Sequence, residues 1–415
     1  MSDIQARPRF TLYGILGAYN YGTESIVRGT AVALREVWPE CEVVYASPRP
    51  EDDQYRLQNS GVQIIPRRVA KHGSLRQLSN AALRRLSLGR LCLSENTDWI
   101  SGSECLLLIG GDLYTLPPDT SFQPSQRFYS PLLDLGNWIM SRKQALVVWG
   151  ASVGPFEAWP SAKQSYMRHL RGVALITARE PLTVEYLSEN GIQSNVRFVA
   201  DPAFLTPVGN YTLVRQKPHL PLVGVNLSPL SIRYALQSKA DDAVLQTHAN
   251  ALVDLALEQD VELVLLPHVV SDDPADDDRR YLQRIFDIVH ARIPDRVGIV
   301  RDDPGAVKMK GILKRCDAVI AARMHCGIHA ASVATPALFL AYSAKARGMA
   351  RYIYGSEDMC MPLEHFGAPS SGFRISAFLA GREALQDLLL QRHGRFAQDA
   401  RQAAVHLRTV LHRKR

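Results

Sequence analysis

One short stretch joins two apolar elements through charged and titratable side chains. Between the strand-like DAVIAA (317–322) and the helix-like CGIHAASVAT (326–335) stand Arg323, Met324 and His325. A charge buried at such a joint costs several kcal/mol unless a partner meets it. The planar fork of an arginine suits a phosphate or a carboxylate. A histidine beside it adds a donor that can also move a proton, and the helix N-terminus adds unpaired N–H groups. Together they point to an anionic ligand. His325 and His329 are four residues apart and could meet on a metal. No glutamate follows His325, however, so the HExxH pattern of zinc chemistry is missing and no metal is expected. Cys326 is not read as a thiol nucleophile working with His325, because adjacent positions on a helix do not face each other. Lys345, in YSAK at the end of the following strand, is a further cation.

Other strand ends carry weaker candidates. GAYNYGTES closes the first apolar strand and offers Asn20, Tyr21 and Glu24, the last either a base or a partner of the helix dipole. Its glycines do not follow GxGxxG, so a dinucleotide fingerprint is not supported. LLLIGGDLYTL offers Gly111 and Asp112, the latter a proton acceptor or a helix cap. WGASVGPF offers Ser152. LITAREPLT places Arg179 after an apolar strand, either as an anion contact or in a salt bridge to Glu180 or another local carboxylate. His268 ends VLLPH, as a proton shuttle or a structural hydrogen-bonder. The five aspartates between Asp272 and Asp278 read as an acidic first helical turn rather than a metal site.

These residues need a particular kind of scaffold. Apolar strands alternate with amphipathic helices from RFTLYGILG onward, which argues for a mostly parallel sheet covered on both faces. The turn-rich stretch 206–221 interrupts the alternation and reads as a linker, after which LVGVNLS restarts it. The expected fold is α/β: two doubly wound Rossmann-like domains, 1–210 and 219–375, facing a central cleft, with C-terminal helices 376–415 packing back on the first domain. The tail reads as two helices broken at Gly394. In such sheets ligands sit outside the carboxyl ends of strands.

Composition narrows the function classes. Of 415 residues, 46% are hydrophobic and 21% charged, which suits a folded globular chain. Net charge is +7, favouring anionic partners. The cations are scattered apart from RKR at the C-terminus, so nucleic-acid binding is not expected. No apolar run reaches membrane-spanning length, and the first ten residues lack a signal-peptide core. The six cysteines show no CxxC spacing and fit a reducing, cytoplasmic setting.

Taken in order, the motifs resemble those of the polysaccharide pyruvyl transferase family. GAYNYGTES stands for its N-terminal G..N.GDEA turn, IGGDL for GGG, ASVGPF for SIGPF, and REPLTVEYLSENG for RE..S...L...G. DPAF at 201–204 is identical to the family's, and RMHCGIHAASVATP with YSAK stands for R.H, GTP and Y..K. The resemblance covers roughly residues 10–350. It implies a glycosyltransferase-B-like fold and transfer of a pyruvyl group from phosphoenolpyruvate to two sugar hydroxyls, leaving a cyclic ketal and phosphate. It implies phosphoenolpyruvate as co-substrate with no other cofactor, held by Arg179, Arg323, Met324 through its backbone, and His325, with Lys345 beside them. His325 is expected as the acid or leaving-group partner, and Asp112 or Glu24 as the base. Asn20, Tyr21, Glu24, Gly111, Asp112 and His268 are the expected acceptor contacts. Thr23 and Asp112 replace an aspartate and a glycine of the family pattern, both on the side expected to bind the acceptor. The acceptor would be a polysaccharide or its lipid-linked precursor, worked on in the cytoplasm or at the inner membrane face, where the basic C-terminal helix could rest. A nucleotide-sugar-dependent glycosyltransferase of the same architecture is the alternative.

Overall fold

The computed structural model describes residues 7–68, 75, 78, 79, 82, 95–111, 113–116, 128–236 and 241–413. Asp112 lies outside these residues. Two compact units emerge. The first comprises residues up to 18, 26–205 and 399–415, and the second comprises 19–25 and 206–398. Residues 376–398 therefore cluster with the second unit, and 399–415 with the first.

The first unit holds a seven-stranded sheet. In chain order its strands are β1 (Arg9–Tyr13), β2 (Glu42–Ser47), β3 (Gln63–Pro66), β4 (Cys105–Ile109), β5 (Ala145–Ala151), β6 (Leu175–Ala178) and β7 (Val196–Phe198). They lie in the order β3-β2-β1-β4-β5-β6-β7, every neighbouring pair parallel. The second unit holds a six-stranded sheet: β8 (Leu222–Asn226), β9 (Glu262–Leu265), β10 (Val297–Ile299), β11 (Ala318–Ala321), β12 (Ala337–Ala341) and β13 (Cys360–Pro362). Their order is β10-β9-β8-β11-β12-β13, again all parallel. In each sheet the chain winds first one way and then the other, so strand order reverses once: between β1 and β4, and between β8 and β11. Loops leaving these adjacent strands diverge, which opens a crevice beyond their carboxyl ends.

The central strands β4, β5, β8 and β11 are buried at every residue, as strands covered on both faces must be. The C-terminal segment differs from expectation: a single helix, Arg382–His412, runs straight through Gly394. A glycine costs a helix interior only about 1 kcal/mol relative to alanine. Burial of Leu389, Phe396, Ala400, Ala403 and Leu407 along this helix outweighs that cost.

Two core histidines make stability depend on pH. His169, in helix Pro160–Gly172, meets Tyr114 Oη at 2.9 Å and Asn137 Oδ1 at 2.8 Å. His248 Nδ1 meets Tyr281 Oη at 3.0 Å. Burial lowers both imidazoles to about 4. The unfolded chain takes up these protons near the ordinary histidine value. The stabilisation is therefore complete above that value and drains away as pH falls toward 4. Between pH 7.5 and 5.5 each should cost about 1.4 kcal/mol of unfolding free energy. Urea denaturation at the two pH values checks this. A wild-type midpoint that does not move, or a His248→Gln midpoint that moves by as much as the wild type's, would contradict it.

Candidate functional site

Arg323 caps helix Met324–Ala331 directly beyond β11, at the point where strand order reverses in the second unit. Asn226, the last residue of β8, ties the neighbouring strand ends together. Its Oδ1 accepts from the Arg323 backbone N–H at 2.8 Å, and its Nδ2 donates to Leu266 O at 2.9 Å. A polar side chain at the end of an otherwise apolar strand is the sequence signal for this role.

The buried Arg323 guanidinium already has protein partners. Nε and Nη2 donate to Asp278 Oδ1 at 3.2 and 2.9 Å, and Nη2 also reaches Asp276 Oδ1 at 2.8 Å and Asp276 O at 3.0 Å. Among the described residues Nη1 donates to nothing, so the outer edge of the fork stays open to a ligand. Burial opposes the charge on Arg323, but Asp278 and Asp276 outweigh it and hold the guanidinium above its ordinary range. Asp278 opens helix Asp278–Arg292 and is fully buried. Its Oδ2 accepts from the backbone N–H groups of His268 and Val269, both at 3.0 Å. The aspartates expected to form only an acidic first turn thus include the counter-charge of Arg323.

Residues 19–25 pack within this same unit. Val270 N donates to Tyr19 O at 3.1 Å and Tyr21 N to His268 O at 3.0 Å. Asn20, Tyr21 and Glu24 therefore differ from the expectation that they belong to the first domain, and each side chain has a use inside the second unit. Asn20 Oδ1 accepts from Gly22 N at 2.8 Å and so caps helix Tyr21–Val37. Tyr21 Oη donates to Asp303 Oδ1 at 2.7 Å. Glu24 lies in the first turn of its own helix, and its Oε2 accepts from Ala306 N at 2.8 Å, in the first turn of helix Gly305–Leu313. His268 is fully buried, which leaves it no surface to offer an acceptor.

Gly22 is where the first turn of helix Tyr21–Val37 approaches His325. A β-carbon there would stand 2.5 Å from His325 Cγ and Nδ1. The new carbon would also meet His325 Cβ at 2.8 Å, so Gly22→Ala must shift the imidazole and its attachment together, and a displacement near 1 Å costs roughly 100-fold in turnover. Steady-state kinetics should show that loss, accompanied by a lower melting temperature; full activity would dissociate His325 from the site.

Behind His325 lies a buried basic cluster. The His268 and His329 ring centroids are 4.9 Å apart, and those of His325 and His329 are 6.5 Å apart. Among the described residues, none hydrogen-bonds to any of the four buried ring nitrogens of His268 and His329. Burial pushes both imidazoles well below the ordinary histidine range, with Arg323 adding to the effect at His268 and Lys310 at His329. Lys310, also buried, donates to Thr206 O at 2.6 Å, and burial lowers it to about 7. Lys345 lies in the first turn of helix Ala344–Tyr354, partly exposed.

In the first unit Arg179 follows β6 and is fully buried. It donates from Nη1 to Asp201 Oδ2 at 2.7 Å and from Nε to Ser152 Oγ at 3.1 Å. Of the expected alternatives, the local carboxylate is Asp201 of DPAF; Glu180 instead caps helix Pro181–Glu189 by accepting from Thr183 N at 3.1 Å. A β-carbon on Gly111 would collide with Arg179 Nη2, so this glycine makes room for the guanidinium.

No helix among the described residues is long and apolar enough to cross a membrane. A model of the polysaccharide pyruvyl transferase family matches residues 20–344. Among solved structures, a UDP-GlcNAc 2-epimerase from Neisseria meningitidis bound to UDP-GlcNAc is similar at 9% identity and TM-score 0.55, covering 98% of this chain and 100% of that one. The S. aureus MnaA–UDP co-structure matches at 12% identity and TM-score 0.54, over 92% and 90%. CalG4, the calicheamicin glycosyltransferase, matches at 11% and 0.53, over 98% and 99%. At these identities the likeness is one of fold, the glycosyltransferase-B type shared by glycosyltransferases and UDP-GlcNAc 2-epimerases.

Proposed function

The chain belongs to the polysaccharide pyruvyl transferase family, and from that premise we propose that it moves a pyruvyl group from phosphoenolpyruvate onto two hydroxyls of a saccharide. The observation that carries the reading is the strand-end site of the second unit. Arg323, whose Nη1 has no hydrogen-bond partner among the described residues, stands at the N-terminus of helix Met324–Ala331, with His325 in its first turn, beyond the β8–β11 reversal. A helix N-terminus with an arginine fork suits a phosphate or carboxylate, and phosphoenolpyruvate has both.

The chemistry needs few groups. The methylene carbon gains a proton, the neighbouring carbon bonds to two hydroxyl oxygens, and its bond to the phosphate oxygen breaks. Two hydroxyl protons are released; one balances the proton given to carbon and the other leaves with phosphate. His325 is the proposed acid or leaving-group partner, with Lys345 a further contact for the donor's charge. Asp112 is the proposed base. The acceptor is proposed to be a bacterial-type polysaccharide or its lipid-linked precursor, modified in the cytoplasm or at the inner membrane face, with no cofactor beyond the donor.

The fold's nucleotide-sugar-binding neighbours favour one rival, a nucleotide-sugar glycosyltransferase. Thermal shift separates the two. Phosphoenolpyruvate at 100 times its Kd should stabilise the protein by about 2.7 kcal/mol. A shift with UDP-sugars and none with phosphoenolpyruvate would select the rival.

A further inference from the structure

The crevice beyond β8 and β11 has a second wall, opposite the one that carries His325. β8 leads through Leu227 and Ser228 into helix Pro229–Leu236, while β11 leads through Ala322 and Arg323 into helix Met324–Ala331. The two helices leave on opposite faces of the sheet. Ile232 of the first packs in the same buried core as Leu338 and Leu340 of β12. Gly327 of the second lies against Phe339, whose side chain alternates to the other face. Diverging exits of this kind leave a gap between them.

Two tyrosines meet at this second wall. Tyr234 stands on helix Pro229–Leu236, and Tyr342 directly follows β12. β11 lies between β8 and β12, so rings borne by those two exits can meet only at the carboxyl end of β11. They do meet, with centroids 5.7 Å apart and planes tilted by 44°. Tyr342 continues the alternation of Leu338 and Leu340, which places it on the face of helix Pro229–Leu236. Ser231 Oγ donates to Ala322 O at 3.2 Å and so fixes this helix to the residue before Arg323. The exposed Arg233 guanidinium packs over the Tyr234 ring, 5.4 Å from its centroid, and braces it. Both rings are half-buried.

We propose that Tyr234 and Tyr342 form the wall that recognises the uncharged part of the donor, its flat enol carbon and methylene group. The inference rests on the phosphoenolpyruvate reading above. Cations and helix N–H groups attract any molecule bearing a phosphate and a carboxylate, so they do not tell phosphoenolpyruvate from its truncated relatives. An aromatic wall does. Trigonal carbons lie flat on a ring face, and covering the methylene group removes apolar surface from water. A ring against one face of the enol also leaves the opposite face as the side from which acceptor hydroxyls arrive. The pair determines specificity and moves no proton itself.

Calorimetric titration of the full-length protein compares phosphoenolpyruvate with 2-phosphoglycolate, which keeps the phosphate and the carboxylate but lacks the methylene group. The wild type should bind phosphoenolpyruvate roughly tenfold more tightly, from one buried methylene and its ring contact. In Tyr342→Ala and in Tyr234→Ala that preference should shrink to about twofold or less, while affinity for 2-phosphoglycolate stays within about threefold of the wild type's. Equal wild-type affinities overturn the proposal, as does a preference that either variant retains, or an equal loss for both ligands. Absence of any phosphoenolpyruvate binding by the wild type overturns the reading of function, and the proposal with it, so the two failures are distinct. If the variants fail to fold, saturation-transfer spectra of the wild type decide, with the protein deuterated except at its tyrosine rings. Irradiating those rings should transfer saturation to the methylene protons of bound phosphoenolpyruvate, and methylene protons that receive none overturn the proposal.

Discussion

Arg323→Ala is expected to damage both stability and turnover, through different partners. Asp278 is fully buried and would lose its counter-charge. Removing one member of a buried ion pair typically costs about 3–5 kcal/mol. Asp276 is partly exposed and can rehydrate, so it contributes little to that figure. The functional loss comes from the other edge of the guanidinium. Truncating one partner of a desolvated charged contact costs about 2–5 kcal/mol of binding, which is roughly 30- to 5,000-fold in kcat/KM for the donor. Arg323→Lys separates the two effects, because a point charge can still face Asp278 but cannot present a planar fork. It should recover most of the urea midpoint and little of the activity. Wild-type turnover of Arg323→Ala at low phosphoenolpyruvate would contradict the assignment.

Asp201→Ala should be nearly as costly in the first unit. Arg179 is fully buried, and its ion pair with Asp201, at 2.7 Å, has side chains 1% and 0% exposed. Without the carboxylate a guanidinium stays enclosed with only part of its hydrogen bonding, including the bond to Ser152. The expected loss is about 3–5 kcal/mol, read as a lower denaturation midpoint. Asp201→Asn keeps an acceptor but not the charge, so its loss should be smaller. Gly111→Ala tests the same guanidinium from the loop after β4, since its new β-carbon would meet Nη2. If Asp201→Ala unfolds at the wild-type midpoint, the pair is not a stabilising element.

The sheets were legible because parallel strands buried on both faces write themselves as unbroken apolar runs, such as CLLLI and ALVVWGA. The placement of Arg323 and His325 was legible for a related reason. A cation between a buried strand and a helix falls at a strand's carboxyl end, wherever the sheet lies. The partners were not legible. Asp278 stands 45 residues from Arg323 in sequence, and only the adjacency of β8, β9 and β11 brings them together. Asp201 likewise meets Arg179 across 22 residues, through the neighbouring ends of β6 and β7. Local pattern also misassigned residues 19–25 to the first unit, because their contacts include backbone bonds to the loop after β9. Backbone bonds of this kind carry no side-chain signature.

The most direct measurement is the position of phosphoenolpyruvate in a co-crystal structure. An anionic group of the donor is expected within hydrogen-bond distance of Arg323 Nη1 and of the first N–H groups of helix Met324–Ala331, with the His325 ring beside it. Donor density elsewhere on the protein, with the Arg323 guanidinium facing only Asp276 and Asp278, would contradict that placement and the function drawn from it.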